Sequence, residues 1–309
     1  MSRLPRWVWR NFRGVAVVLS AAGVAAALWS DRAALSAFPW RLSWPLFVLA
    51  ISLFCIGPLA GATSFWLIAR DLTRTAAYAE TLRLWMRGFL ARYVPFGAVT
   101  LAVRLRGRGR IDASRSQMLS STAHEQIAAV LGGALAATLG LSLSGEMIAA
   151  LPAAIGVLAL GCVIAAPRVG RRLQRVPRLG RFRAEPVSRR SLAHAGVAVS
   201  AGWAASGTAV WVLFNAVSSD APTLQLAAGA YALAWLIGFI VPFAPSGLGV
   251  REALFVGIMA PHFGVGPAAA LAVVARFSNV VGDLIAAAGV EGATAALGRR
   301  GASLAANHA

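Results

Sequence analysis

A chain of 309 residues that is 58% hydrophobic and 13% charged, with a mean hydropathy of +0.69, is too apolar to hide its surface in one soluble core. The bilayer is the solvent that fits this composition, and the reading is an all-α, polytopic membrane helix bundle. The formal charge of +18 rests on 29 basic residues, all of them arginine. Lysine chemistry is thereby excluded, and arginines set between apolar runs, not on one folded face, argue against nucleic acid as a partner.

Arg3, Arg6, Arg10 and Arg13 precede a first apolar stretch, Gly14 to Leu28, which is read as a retained helix; a signal peptide cleaved after Ala27 or Ser30 is the alternative. Runs long enough for a hydrocarbon core of ~30 Å follow at Trp44 to Ala69, Met118 to Leu141, Met147 to Ala166, Leu192 to Phe214 and Leu224 to Val241. A short run, Ala253 to Ala260, and a long one, Pro267 to Leu297, bring the expectation to about eight embedded segments in a single domain. The last run would exceed ~45 Å as one straight helix, so it is expected to be tilted, protruding or broken.

Arginine asymmetry sets the orientation. The N-terminal segment, the region Arg70 to Arg115, the loop Arg168 to Arg190 and the end at Arg299 and Arg300 are basic. The loops Ser142 to Glu146 and Asn215 to Thr223 have no Arg, and Asp31 to Ser43 has only Arg32 and Arg41. Both termini are therefore expected in the cytoplasm, with the chain in the inner membrane of a bacterium. Glu80 to Tyr93 is amphipathic at helical period, with Leu82, Met86, Phe89 and Tyr93 on one stripe and Arg83 and Arg87 on another, as for an interfacial or re-entrant helix.

Two segments repeat without a gap: VPFGAVTLAVR at Val94 to Arg104 and VPFAPSGLGVR at Val241 to Arg251. Pro95, Pro242 and Pro245 break the helical ladder, and backbone groups freed at membrane depth must line protein or a wet cavity. Pro245, Ser246, Gly247 and Gly249 allow a tight turn, after which a helix restarting near Val250 would set free N–H groups beside Arg251, a pocket suited to phosphate. The alternative is a structural kink with Arg251 paired to Glu252 or reaching for the interface. Counting crossings, four spans separate the copies, which makes the repeat parallel; a re-entrant Glu80 to Tyr93 would make it inverted.

Ionisable residues inside apolar runs, Glu125, Arg276, Asp283 and Glu291, are expensive in a bilayer and call for partners or water. Arg276 and Asp283 share a helical face, Glu291 is expected to face solvent, and a Glu125–Arg276 salt bridge is the structural alternative to substrate contact. His124, His194, His262 and His308 are scattered, and Cys55 and Cys162 lie within apolar runs, so neither a metal site nor a cofactor is expected.

The YVPF turn followed by Arg104, the acidic Glu125 in the next span, the late PFAPSGLGVRE element and Arg276 in the final helix together resemble the lysylphosphatidylglycerol synthase transmembrane region family. The likeness runs from about the second span onward; Phe96 and Gly97 stand where Gly directly after the proline is expected. The resemblance implies a flippase-like membrane domain that binds a lipid with a polar headgroup. The residues expected to bind it, from the broken helices and the buried charges, are Arg104, Glu125, Pro242, Pro245, Ser246, Gly247, Gly249, Arg251, Glu252, Arg276 and Asp283. Aminoacyl transfer in that family belongs to a separate soluble domain, so lysyl transfer is not expected of a chain ending at Ala309.

The expected function is a translocase or lipid-binding transporter for a phosphate-bearing or charged headgroup, since guanidinium groups suit phosphate. No nucleotide-binding loop occurs, so energy would come from a gradient or none. The alternative is an intramembrane enzyme using Glu125, Asp283 or Glu252, or an accessory subunit of a membrane glycosyltransferase. Membrane lipids, a homo-oligomer or such a glycosyltransferase are the expected partners.

Overall fold

The computed structural model describes Trp29 and residues 31–93, 98–159, 185–241 and 247–306. The expected first helix, Gly14 to Leu28, lies outside the described residues, as do the Pro95 turn, Pro242, Pro245 and Ser246 of the second turn, and most of the basic loop before Glu185.

The described chain is helical. After a short α1 (Arg32–Ala37) come α2 (Trp44–Thr73), α3 (Tyr78–Leu90), α4 (Ala98–Gly107), α5 (Arg115–Leu143) and α6 (Met147–Ala159). Then follow α7 (Arg189–Val217), α8 (Leu224–Ile240), α9 (Val250–Phe263) and α10 (Val265–Ala306). Among the described residues, α2, α5, α7 and α10 up to Ala296 are long and apolar enough to cross a membrane. The ends are set locally. Ser114 and Gln117 close a reciprocal cap on α5, with the Ser114 side chain accepting from the Gln117 N–H and the Gln117 side chain from the Ser114 N–H. Ser188 and Thr223 cap α7 and α8 through the N–H groups of Ser191 and Leu226.

Contacts between loops define two ends of the bundle. At one end the Asp71 carboxylate accepts from the Ser188 N–H (2.7 Å), Gln117 Nε2 donates to the Leu72 carbonyl (2.9 Å) and Ser116 donates to Glu185. At the other end Trp40 pairs with Ser218, Arg41 Nε donates to the Ser218 carbonyl (3.0 Å), Asp31 accepts from the Gly266 N–H (2.8 Å) and His262 meets Glu146 (3.2 Å). The first end collects the loops rich in arginine and the second the loops poor in it.

Between these ends α3 and α4 form a hairpin. Both return to the arginine-rich end, where Ala76, Ile111 and Ala113 share one apolar cluster. The pair α8 and α9 mirrors this from the opposite end: α8 starts beside Ser218 to Thr223, and α9 finishes with His262 on Glu146. At 13, 10, 17 and 14 residues, these helices are each shorter than the ~30 Å core at 1.5 Å per residue. Each pair enters and leaves the bundle at one end. The repeat is consequently inverted, and the crossing count that made it parallel is corrected: neither Leu224–Ile240 nor the piece around Ala253 to Ala260 runs from one end of the bundle to the other, because α8 starts and α9 finishes at the same end. The final run is continuous over 42 residues, longer than the hydrocarbon core requires.

Helices pack through small residues. A Cβ on Gly140 of α5 would lie 2.6 Å from the Gln225 carbonyl and 2.7 Å from Gly229 Cα of α8, so these two helices touch backbone to backbone. Two apolar clusters result: a large one centred on Leu213, Phe214, Leu233 and Leu236, and a smaller one under the first hairpin around Phe65, Trp85 and Met118.

Candidate functional site

Each hairpin carries the same side-chain arrangement. In the first, Trp85 and Phe89 are one helical turn apart on α3 and stack with ring centroids 4.6 Å apart and planes at 21°. Arg104 of α4 lies with its guanidinium carbon 5.6 Å from the Trp85 ring and 4.9 Å from that of Phe65. Gly88 makes room for it, since a Cβ there would stand 3.0 Å from Arg104 Cγ. In the second hairpin Trp235 and Phe239 stack at 5.1 Å and 3°, the Arg251 guanidinium lies 5.5 Å from Trp235, and a Cβ on Gly238 would come within 2.5 Å of Arg251 Cγ.

The shared sequence is therefore longer than the VPF…R pattern. Trp-x-x-Gly-Phe precedes it in both copies, at Trp85 to Phe89 and Trp235 to Phe239. Sequence reasoning missed it because Ala91 to Tyr93, a single 3-10 turn, is inserted in the first copy and displaces any ungapped alignment.

The two arginines end differently. Arg104 is 1% exposed and its Nη1 donates to Glu125 Oε2 at 3.0 Å, an oxygen that also accepts from Gln126 Nε2 at 2.8 Å. The expected Glu125–Arg276 bridge does not form, because Glu125 on α5 faces the first hairpin. Among the described residues, Arg251 forms no salt bridge with a carboxylate. Its neighbour Glu252 turns away: Oε2 accepts from the Gly249 N–H at 2.6 Å, capping α9, and Oε1 lies 3.7 Å from Arg276 Nε. The alternative of an Arg251–Glu252 pair is thus corrected, for a side chain at the third position of a helix reaches back to the cap and not along to its preceding residue. Arg251 Nε is buried and, among the described residues, without a hydrogen-bond partner.

Arg251 opens into a cavity of about 390 Å³, counting the space continuous with the outside, whose walls include Tyr231, Trp235, Glu252, Phe255, Arg276 and Asn279. Arg276 and Arg92 both stand close enough to Arg251 to repel its charge, and Tyr231 feels the charges of Arg92, Arg251, Arg276 and Asp283 together. Asp283, one turn beyond Asn279 on α10, is 1% exposed and accepts from both Arg92 and the Tyr93 hydroxyl. It belongs to a structural tie and does not line the cavity. Arg92, Arg251 and Arg276 against Glu252 and Asp283 leave one positive charge uncompensated among the described residues.

Of the remaining expected site residues, Gly247 and Gly249 lead into α9 with φ of 70° and 82°, the left-handed region that glycine enters without strain. Gly247 also packs on Arg251, whose Nε would be 2.8 Å from a Cβ placed there. Pro242, Pro245 and Ser246 lie in the turn outside the described residues. Glu291, expected to face solvent, is instead half-buried and receives Arg87 Nε at 2.6 Å and Arg83 Nε at 3.0 Å, fastening α3 to α10. No group of metal-ligating side chains occurs among the described residues.

The family model for the lysylphosphatidylglycerol synthase TM region matches residues 13–287. No curated protein matches the chain.

Proposed function

This chain belongs to the lysylphosphatidylglycerol synthase transmembrane region family, and from that premise we propose that it is a flippase-like translocase, binding a lipid by a phosphate-bearing headgroup and passing it between leaflets. It is a multi-pass membrane protein; we place it in the inner membrane of a bacterium with both termini and the arginine-rich end in the cytoplasm.

The observation that carries the reading is Arg251, whose buried Nε has no hydrogen-bond partner and which meets no carboxylate among the described residues. A buried cation without a counter-charge costs several kcal/mol in a low-dielectric interior, and a phosphate in the adjoining cavity removes that cost by taking the guanidinium fork. Trp235, Tyr231 and Phe255 supply apolar wall for the glycerol and upper acyl region, while Asn279 and Arg276 supply donors. Half-length helices entering from both ends are the arrangement by which inverted repeats give access to one site from either side.

The enzyme reading draws less support. Glu125, Glu252 and Asp283, its best carboxylates, are each engaged by an arginine and are not presented to a substrate proton.

The test is reconstitution of the full chain into vesicles containing fluorescent phosphatidylglycerol, with a membrane-impermeant reductant added outside. The wild-type chain is expected to expose the inner-leaflet label, and Arg251→Ala to leave it protected. Arg251→Lys keeps the charge but loses the planar fork, so it should be impaired as well. Equal label loss in wild-type and protein-free vesicles would overturn the proposal.

A further inference from the structure

The inverted repeat lets the two halves be compared residue by residue. Arg104 and Arg251 correspond in sequence and in their Trp, Phe and Gly surroundings. The helix that follows each hairpin corresponds too: Glu125 is the eleventh residue of α5 and Arg276 the twelfth of α10. Where the first half faces its hairpin arginine with a carboxylate, the second half faces it with another arginine. One half thus contains its own anion, and the other half needs one from outside.

The carboxylate in the first half is an incomplete partner. Only Nη1 of Arg104 reaches Glu125, through a single oxygen, and Arg104 Nε is buried with no hydrogen-bond partner among the described residues. A phosphate, with more acceptor oxygens than the one Glu125 uses, satisfies both edges of the fork. We propose that Arg104 is a second anion-binding site, equivalent to the one at Arg251 and held shut by Glu125, which occupies it in place of a phosphodiester headgroup. The proposal rests on the reading of Arg251 as an anion site. It adds that the hairpin entering from the arginine-rich end has its own headgroup position, vacated when Glu125 withdraws. A translocated lipid would then be held in turn by two like sites at opposite ends of the bundle, with Glu125 as the built-in competitor that keeps them from filling together.

The experiment is calorimetric titration of the purified full chain, in neutral detergent, with a soluble short-chain phosphatidylglycerol and, separately, with inorganic phosphate. Wild type is expected to take one phosphatidylglycerol per chain, Arg251→Ala none, Glu125→Gln two, and Glu125→Gln/Arg251→Ala one, at Arg104. A double variant that binds nothing while Glu125→Gln binds only one overturns the Arg104 site and leaves the Arg251 reading intact. Absence of binding in wild type and in Glu125→Gln alike overturns both. Binding of inorganic phosphate with the same stoichiometries identifies a free-phosphate site and overturns the lipid assignment. Glu125→Gln strands a buried guanidinium and could fail to fold, so Glu125→Asp, which keeps the charge but draws the carboxylate back from Arg104, provides a second measurement. It too is expected to take two phosphatidylglycerols per chain, and a folded Glu125→Asp that takes only one overturns the Arg104 site.

Discussion

Asp283 of α10 accepts hydrogen bonds from both Arg92 and Tyr93, the residues by which the first hairpin is longer than the second. The insertion that hides the repeat is thus also the part that ties the tip of that hairpin to the longest helix of the bundle. With Asp283 1% exposed, removing its charge strands Arg92. Asp283→Asn should destabilise the protein by about 3–5 kcal/mol, Tyr93→Phe by about 1 kcal/mol. Thermal unfolding in detergent checks both, and a combined Arg92→Gln/Asp283→Asn variant should be milder than the sum of its parts.

The Glu291 contacts lie nearer the surface, with side-chain exposures of 36% for Glu291 and 41% for Arg87. Solvent screening decides their worth. Glu291→Gln should cost about 0.2–1 kcal/mol and the loss should shrink as salt is added. A loss as large as that of Asp283→Asn would show that this pair is buried in the membrane-embedded protein.

Two glycines should respond in opposite ways. At Gly140 an added Cβ meets the backbone of α8 at 2.6 Å, which cannot move aside, so Gly140→Ala should cost about 1–3 kcal/mol by forcing α5 from α8. At Gly238 the added Cβ meets Arg251 at Cγ, 2.5 Å away, and at Nε, 2.8 Å away, so the buried side chain must leave its present position while the backbone of its own helix need not move. Gly238→Ala should therefore cost less stability than Gly140→Ala and lose lipid movement by displacing Arg251. Comparison of melting temperature with the vesicle assay separates the two, and a Gly238→Ala that moves lipid as well as wild type would show that Arg251 is not on the lipid's path.

The placement of the ends is open to labelling. Arg110 and Ser219 are exposed at opposite ends of the bundle, whereas the adjacent Ser218 is fully buried and would mislead. In a background without Cys55 and Cys162, Ser219→Cys should react with an impermeant reagent in intact cells and Arg110→Cys only after lysis. The reverse pattern would invert the assignment of sides.

Much of the molecule follows from local chemistry that a linear reading can weigh. Apolar runs of bilayer length made α2, α5 and α7 recognisable, because hydrophobic length is a property of consecutive residues. Arginine content sorted the loops by end, and the glycines around Pro245 announced the restart of a helix at Val250. Pairing was another matter. Glu125 was as plausible a mate for Arg276 as for Arg104, and only the packing of α5 against the first hairpin separates those choices. Glu252 adjoins Arg251 in sequence yet serves the Gly249 cap and Arg276, since helix geometry points consecutive side chains in different directions. The sense of the repeat likewise depended on whether α3 and α8 cross or turn back, a matter settled by contacts far apart in the chain such as Glu146 with His262. Charge partners and hairpin direction are long-range properties, and they become fixed only when the helices assemble.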